Sequence, residues 1–299
     1  MESSDRREYP LYTVDAFTAV PFCGNPAAVC VVTEDRLSDI EMQKMAAEVG
    51  LSETAFIEAD TDEEFKTVSR FRLRWFTPTT EVPLCGHATL ASAAVLFFVI
   101  GNQSEMLEFD THSGILATRR EGEEITLNFP LNPSTRQVHD RAGRNEDFLE
   151  LFKYIVDEDK VLAVEYSSTT KKLLLRLHDN VSREFLENLK VDTQQLMKCQ
   201  LTTEVRGVIV TVIGSAHKEI KAYDFISRYF APWNGIPEDP VTGSAHTVLA
   251  SYWSIVLNKT EMCAHQCSPR GGDLRIRLRG DRVELIGQAV VMVTGKLTI

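Results

Sequence analysis

The chain contains neither G-x-G-x-x-G nor a P-loop, so the glycine-rich turns that cradle nucleotide phosphates give no support for a nucleotide cofactor. Positive charge is in short supply: 32 lysines and arginines face 43 aspartates and glutamates, for a net charge of −11. Such a surface repels nucleic acid and anionic membrane on average and leaves only local basic patches for small anions. Residues 84–100 carry no charge, but these 17 positions include polar and small side chains and fall short of a membrane span. A buried central helix stopped by Gly101 is expected instead. The six cysteines (Cys23, Cys30, Cys85, Cys199, Cys263 and Cys267) are too scattered for a small disulfide scaffold. Cys263 and Cys267 bracket His265, yet no second ligand pair stands nearby, so no metal is expected. Residues 1–7 are charged and lack the apolar stretch of a secretory signal, which makes the cytoplasm the expected location.

Against these absences stands a repetition. Glu81-Val82-Pro83-Leu84-Cys85-Gly86 and Glu238-Asp239-Pro240-Val241-Thr242-Gly243 share the spacing E-x-P-x-x-G. Each follows an F-x-P, Phe76-Thr77-Pro78 or Phe230-Ala231-Pro232, and each opens an uncharged run of small and apolar residues. Two copies of one element imply two similar halves, each with strands around one hydrophobic helix. Free N–H groups at a helix start form a ready anion site, so two such starts suit a carboxylated substrate gripped from both sides.

The remaining pattern is that of an α+β protein. Residues 11–17 and 27–32 read as strands joined through Gly24-Asn25-Pro26. Ser38 and Glu41 form a capping-box pattern, Met42, Met45, Ala46 and Val49 keep helical spacing, and Gly50 stands at the stop. In the strand expected at 51–57, alternation puts Glu53 on the face of Leu51, Ala55 and Ile57, a carboxylate on the apolar side. Arg70, Arg72 and Arg74 alternate with Phe71, Leu73 and Trp75 and are expected to be solvated. Residues 131–145 are polar and broken by Pro and Gly, which suits a linker, and the boundary is placed near 132. The halves are then 1–132 and 133–299, with the last strand free to return to the first. Beyond the linker, helices are expected at 146–155 and 183–190, and strands at 161–165, 172–177, 205–213, 273–278, 282–286 and 289–298.

Glu53 is the first candidate for chemistry, since desolvation on an apolar face raises a carboxyl pKa toward neutrality and fits it for proton transfer. His87 and Ser244 follow the two motif glycines; alone, either is more often a hydrogen bonder at a helix start, but the duplication favours function. Asp239 is an acid where the first copy has Val82, with turn chemistry as its plain alternative. Cys85 and Thr242 occupy equivalent positions, and two thiols there would make a two-base racemase. The threonine argues against that mechanism. Gly243-Ser244-Ala245-His246 is no nucleophile elbow, and a histidine two residues on points away from the serine in a helix. Arg270-Gly271-Gly272 reads as a surface turn.

Taken together, Asp15-Ala16-Phe17-Thr18, Gly24-Asn25-Pro26-Ala27-Ala28-Val29, Leu51-Ser52-Glu53-Thr54, Phe76-Thr77-Pro78 and the two E-x-P-x-x-G segments through His87 and His246 resemble the PhzF-like phenazine biosynthesis family over nearly the whole chain. The resemblance implies a diaminopimelate-epimerase-like α+β fold: two similar lobes, each a mostly antiparallel barrel-like sheet around a central buried helix, with the active site between them. It implies a cofactor-free isomerase of a small carboxylate, with Glu53 as general acid and base and with His87, Asp239 and Ser244 in support. Asn25, Cys85, Gly86, Thr242 and Gly243 are the expected substrate-binding residues. No metal, nucleic acid or membrane partner is implied, and a homodimer is the default for a soluble enzyme. A Cys85-assisted epimerase and a catalytically silent binding protein on the same fold stay open as alternatives, because fold kinship does not fix a substrate.

Overall fold

The computed structural model describes residues 6–33, 36–137, 146–199, 201, 203–214 and 222–299. The chain divides into two compact units, Met1–Phe129 with Ile286–Ile299, and Pro130–Leu285.

In the first unit the order is β1 (Glu8–Ala16), β2 (Asn25–Val32), α1 (Asp39–Val49), β3 (Thr54–Glu58), α2 (Glu64–Thr67), β4 (Arg70–Phe76), β5 (Glu81–Val82), α3 (Gly86–Ala94), β6 (Met106–Thr111), β7 (Gly114–Glu121) and β8 (Glu124–Pro130). The expected capping box is present on α1: Ser38 accepts from the Glu41 amide, the Glu41 carboxylate reaches back to the Ser38 amide, and Gly50 closes the helix in the left-handed region. Every residue of α3 from His87 to Ala94 is buried, as a helix apolar on all sides must be. It continues as a π-helical turn, Val95–Ile100, and Gly101 ends it.

In the second unit the order is β9 (Thr135–Gln137), α4 (Glu146–Ile155), β10 (Val161–Ser167), β11 (Lys172–Leu177), α5 (Arg183–Asn188), α6 (Thr193–Leu196), β12 (Gly207–Ile213), β13 (Phe225–Phe230), α7 (Gly243–Leu257), β14 (Glu261–Gln266), β15 (Gly272–Arg279) and β16 (Arg282–Gly287). Part of the expected linker, 138–145, lies outside the described residues, and 135–137 form a strand paired with β10. Helix α7 is the second buried apolar helix and ends at Asn258, itself left-handed. The last strand, β17 (Ala289–Thr298), belongs to the first unit and pairs with β1.

The duplication is visible in the pairings. In the first unit, β1–β2 is antiparallel, β2–β3 parallel, β3–β4 antiparallel, β4–β6 parallel and β6–β7 antiparallel. The same alternation runs through β10–β11, β11–β12, β12–β13, β13–β14 and β14–β15. Parallel neighbours need a crossover, and α3 and α7 supply it at matching places, β4 to β6 and β13 to β14. Among the described residues the barrel-like closure that was expected is absent. The sheet is mixed and open, and in the first unit no described pairing joins β8 to β17. Among the described residues no helix is long and apolar enough to cross a membrane.

Candidate active site

Two turns bring the first unit's polar side chains to the start of α3. Gly24 has φ +70°, and a Cβ on it would meet the Ala16 carbonyl oxygen at 2.3 Å, so only glycine closes that turn and sets the fully buried Asn25 at the head of β2. Glu53 lies just before β3, its carbonyl accepting from the Ala28 amide at 3.0 Å. The alternation argument for Glu53 therefore fails on its own ground. Thr54, Ala55, Phe56 and Ile57 are all buried, so the strand has no solvent face against which to alternate. Glu53 is nonetheless only 7% exposed.

Opposite it, Cys85 stands at the N-cap of α3 in an extended conformation and His87 is the second helical residue, 6% exposed. His87 Nε2 lies 3.2 Å from Glu53 Oε2 and 3.4 Å from Ser52 Oγ, while Nδ1 lies 3.5 Å from Cys85 Sγ. The contact between His87 Nε2 and Glu53 Oε2 is a buried ion pair. The protonation states correct the sequence-based expectation for Glu53. Burial pushes its carboxyl up, but the charge of His87, with help from Ser52, outweighs burial and holds it below the usual value. Burial pushes His87 down, yet Cys85 and Glu53 together carry it well above an ordinary histidine. Burial and the Glu53 charge push the Cys85 thiol up. At neutral pH burial and the Glu53 charge keep Cys85 a thiol, and His87 favours the ionised form of Glu53.

Glu53, Cys85 and His87 offer ligand atoms within 4.8 Å of one another, a donor set that zinc accepts. The imidazole, however, faces the thiol with one nitrogen and the carboxylate with the other. That arrangement also suits a chain of proton sites.

The motif glutamates have a different task. Arg74 grips Glu81 through two bonds of 2.7 and 2.8 Å, and Arg228 grips Glu238 through two bonds of 2.7 Å. Arg74 also bonds Asp39 at 2.7 Å, and Arg228 caps the carbonyls of Leu186, Glu187 and Leu189. The expectation of solvated arginines on β4 holds for Arg70 and Arg72, which are exposed and pair at the surface with Asp110 and Glu58, and is corrected for Arg74, a clamp on the turn before α3. Paired, forked bonds of this kind fix orientation as well as charge.

At the start of α7 the same backbone carries other chemistry. The Thr242 hydroxyl donates to Asp239 Oδ2 at 2.6 Å, and Gln266 joins both by accepting from the Thr242 amide at 2.9 Å and donating to the Asp239 carbonyl at 2.6 Å. Asp239 is 9% exposed and Gly243 is buried, whereas Ser244 is exposed. His246 bonds the Thr242 carbonyl through Nδ1 at 2.7 Å and stacks on Phe225, and burial pushes it down to about 4. It is a neutral structural histidine with no described bond to Ser244, in keeping with the rejected hydrolase reading. In its place the first copy has Thr89, whose hydroxyl likewise bonds a carbonyl, that of Cys85. The structure thus gathers Glu53, Cys85, Gly86 and His87 in one unit and Asp239, Thr242 and Gly243 in the other. Sequence reasoning missed Ser52, Gln266, Lys172 and Tyr229.

The model of the phenazine biosynthesis-like protein family, PhzC-PhzF, matches residues 14–295. Phenazine biosynthesis-like domain-containing protein 1 of Mus musculus is 52% identical over 294 residues, covering 97% of this chain and 99% of that protein. An uncharacterized isomerase of Halalkalibacterium halodurans is 42% identical over 304 residues, covering 97% and 98%. Among solved structures, a PhzF-family phenazine biosynthesis protein from Enterococcus faecalis superposes with a TM-score of 0.83 at 36% identity, covering 98% of this chain and 100% of that one.

Proposed function

Because the chain belongs to the phenazine biosynthesis-like family, PhzC-PhzF, we propose that it is an isomerase of a small carboxylated metabolite that works by cofactor-independent proton transfer. Its relatives include proteins named as isomerases, which supports the reaction class. The observation that carries the mechanism is the buried pair of Glu53 and His87, 3.2 Å apart. Glu53, ionised at rest, takes a proton from a carbon made acidic by conjugation with the substrate's carboxylate. The electron pair left behind shifts through the conjugated system, and the Glu53 carboxyl, whose proton exchanges with solvent, returns a proton to another carbon. The net change is an isomerisation in which no atom is gained or lost. His87 keeps the carboxylate ionised between turnovers. Asp239 and Ser244, with the N–H groups at Gly86 and Gly243, orient and hold the substrate's anionic group. Asn25, Cys85 and Thr242 line the binding site. The two units serve as the two lobes of a diaminopimelate-epimerase-like fold, a reading supported by their repeated pairings.

The Cys85-assisted epimerase loses ground, because burial and the Glu53 charge keep the thiol protonated and so remove the thiolate base. The test is deuterium incorporation from heavy water into a panel of small unsaturated carboxylates, followed by mass spectrometry. The wild type incorporates label into the compounds it turns over, and Glu53→Gln slows this by on the order of 10²–10⁴-fold. Undiminished exchange in that variant would remove Glu53 from the mechanism.

A further inference from the structure

The internal repeat assigns a partner position to Glu53, and what stands there is informative. In the first unit Thr54 pairs with Phe76, the phenylalanine of its F-x-P; in the second, Val208 pairs with Phe230, the phenylalanine of the other. Val208 therefore takes the place of Thr54, and Gly207 the place of Glu53. Across the parallel ladder, Leu173 faces Val208 as Ala28 faces Thr54, so Lys172, facing Gly207, takes the place of Ala27. Where one copy has a carboxylate beside an alanine, the other has an empty position beside a lysine.

The missing side chain is filled. A Cβ on Gly207 would lie 2.1 Å from the Tyr229 hydroxyl, so the glycine is what lets the phenol lie against β12. Lys172 Nζ stands 5.7 Å from the centroid of the same ring. Lys172 is 7% exposed and Tyr229 5%, and the Asp239 amide bonds the Tyr229 carbonyl at 3.1 Å. Among the described residues the Lys172 ammonium makes no hydrogen bond and no ion pair; its interactions are the face of Tyr229 and the charge of Asp239 at longer range. Burial pulls its ammonium down to about 8, with Asp239 opposing, and burial followed by Asp239 pushes the Tyr229 phenol up. A largely buried ammonium held only by a ring face and a more distant carboxylate gains from an anion that arrives with a ligand.

We propose that Lys172, backed by the Tyr229 ring in the space left by Gly207, is an anion-binding residue of the second unit that receives a carboxylate of the substrate. The proposal deepens the isomerase reading and rests on it for the identity of the ligand, but it concerns binding and not the proton transfer at Glu53. Asp239 and Tyr229 are the titratable groups beside the ammonium; the charge of Asp239 opposes its deprotonation, and burial keeps the Tyr229 phenol protonated. The subsite is therefore charged at pH 7 and discharged above about 8.

The experiment is 13Cε-lysine NMR of the full chain, with Lys172→Met identifying the signal and benzoate and glutarate as probes. The Lys172 signal titrates near pH 8, the probes raise that midpoint, and their binding weakens about tenfold or more in Lys172→Met, while Lys172→Arg stays within a few fold. Equal binding by wild type and Lys172→Met, absence of binding by the wild type, or a Lys172 midpoint at the ordinary lysine value that the probes leave unmoved would overturn the proposal. Benzoate and glutarate undergo no proton transfer at Glu53, so their binding is read apart from turnover. A failure of the proton-transfer reading would thus appear in the deuterium experiment and leave this one intact.

Discussion

Lowering the pH should unfold this protein partly through one imidazole. His246 is fully buried, bonded to the Thr242 carbonyl and stacked on Phe225, and is held down to about 4 against an ordinary 6.5. Between those values the unfolded chain binds a proton that the folded chain refuses, so stability rises with pH across this window and falls as pH drops through it; below about 4 both states are protonated and the loss stops. The gap is roughly 2.5 pH units, which at ~1.36 kcal/mol each comes to roughly 3 kcal/mol. Replacing the residue with Gln keeps a donor for the Thr242 carbonyl and removes the titration. The variant loses the stack on Phe225 at every pH, so that constant penalty cancels when only the pH dependence is compared. Urea unfolding followed by circular dichroism at pH 7, 6, 5 and 4 should show the stability gap between wild type and His246→Gln narrowing by roughly 3 kcal/mol on acidification. Parallel pH profiles would refute the assignment of a neutral, proton-refusing histidine.

Three further expectations follow from the charge pairs. Glu53→Gln removes one of the groups that hold His87 up, so the His87 ring signals should titrate at lower pH in NMR; an unchanged midpoint would deny the pair. By the same linkage the pair stabilises the fold between the depressed Glu53 value and the elevated His87 value, being lost as pH falls through the first and as pH rises through the second. Glu238→Ala strands the buried Arg228 guanidinium and should cost about 3 kcal/mol in urea unfolding, whereas Asp110→Ala, which breaks the exposed pair with Arg70, should cost less than about 1 kcal/mol. Thr242→Val removes a charge-assisted bond to Asp239 and should cost roughly 2 kcal/mol in the same assay, with an unshifted midpoint counting against it.

Much of the fold could be read from the sequence. The capping box at Ser38, the helix from 146 to 155, and the strand at 289–298 lie where periodicity and punctuation put them, and the buried strand at 172–177 is marked by its run of leucines. Two other buried strands defeated the reading. All six residues of Phe225–Phe230 are buried, so they show no alternation, and the strand went unread; β3 misled in the same way. Glu53 was singled out by an alternation that its strand does not have, and its charge state was misjudged because a carboxylate's surroundings include an imidazole 34 positions away in the chain. Pairing of that kind is set by the crossover through α3, and no local pattern encodes it. Lys172 and Tyr229 were invisible for the same reason, since only the register across β11, β12 and β13 brings them together.

The two arginine clamps separate what the duplication kept from what it released. Arg74 with Glu81 and Arg228 with Glu238 tie each proline turn to the strand before it, and they are the same in both copies. Within those identical brackets the reactive positions have drifted apart: thiol against hydroxyl at 85 and 242, imidazole against hydroxyl at 87 and 244, valine against aspartate at 82 and 239. The signature by which the repeat is recognised is thus a fastening, indifferent to the chemistry it presents. A chain found by that signature alone would have a known frame and an open choice of reaction.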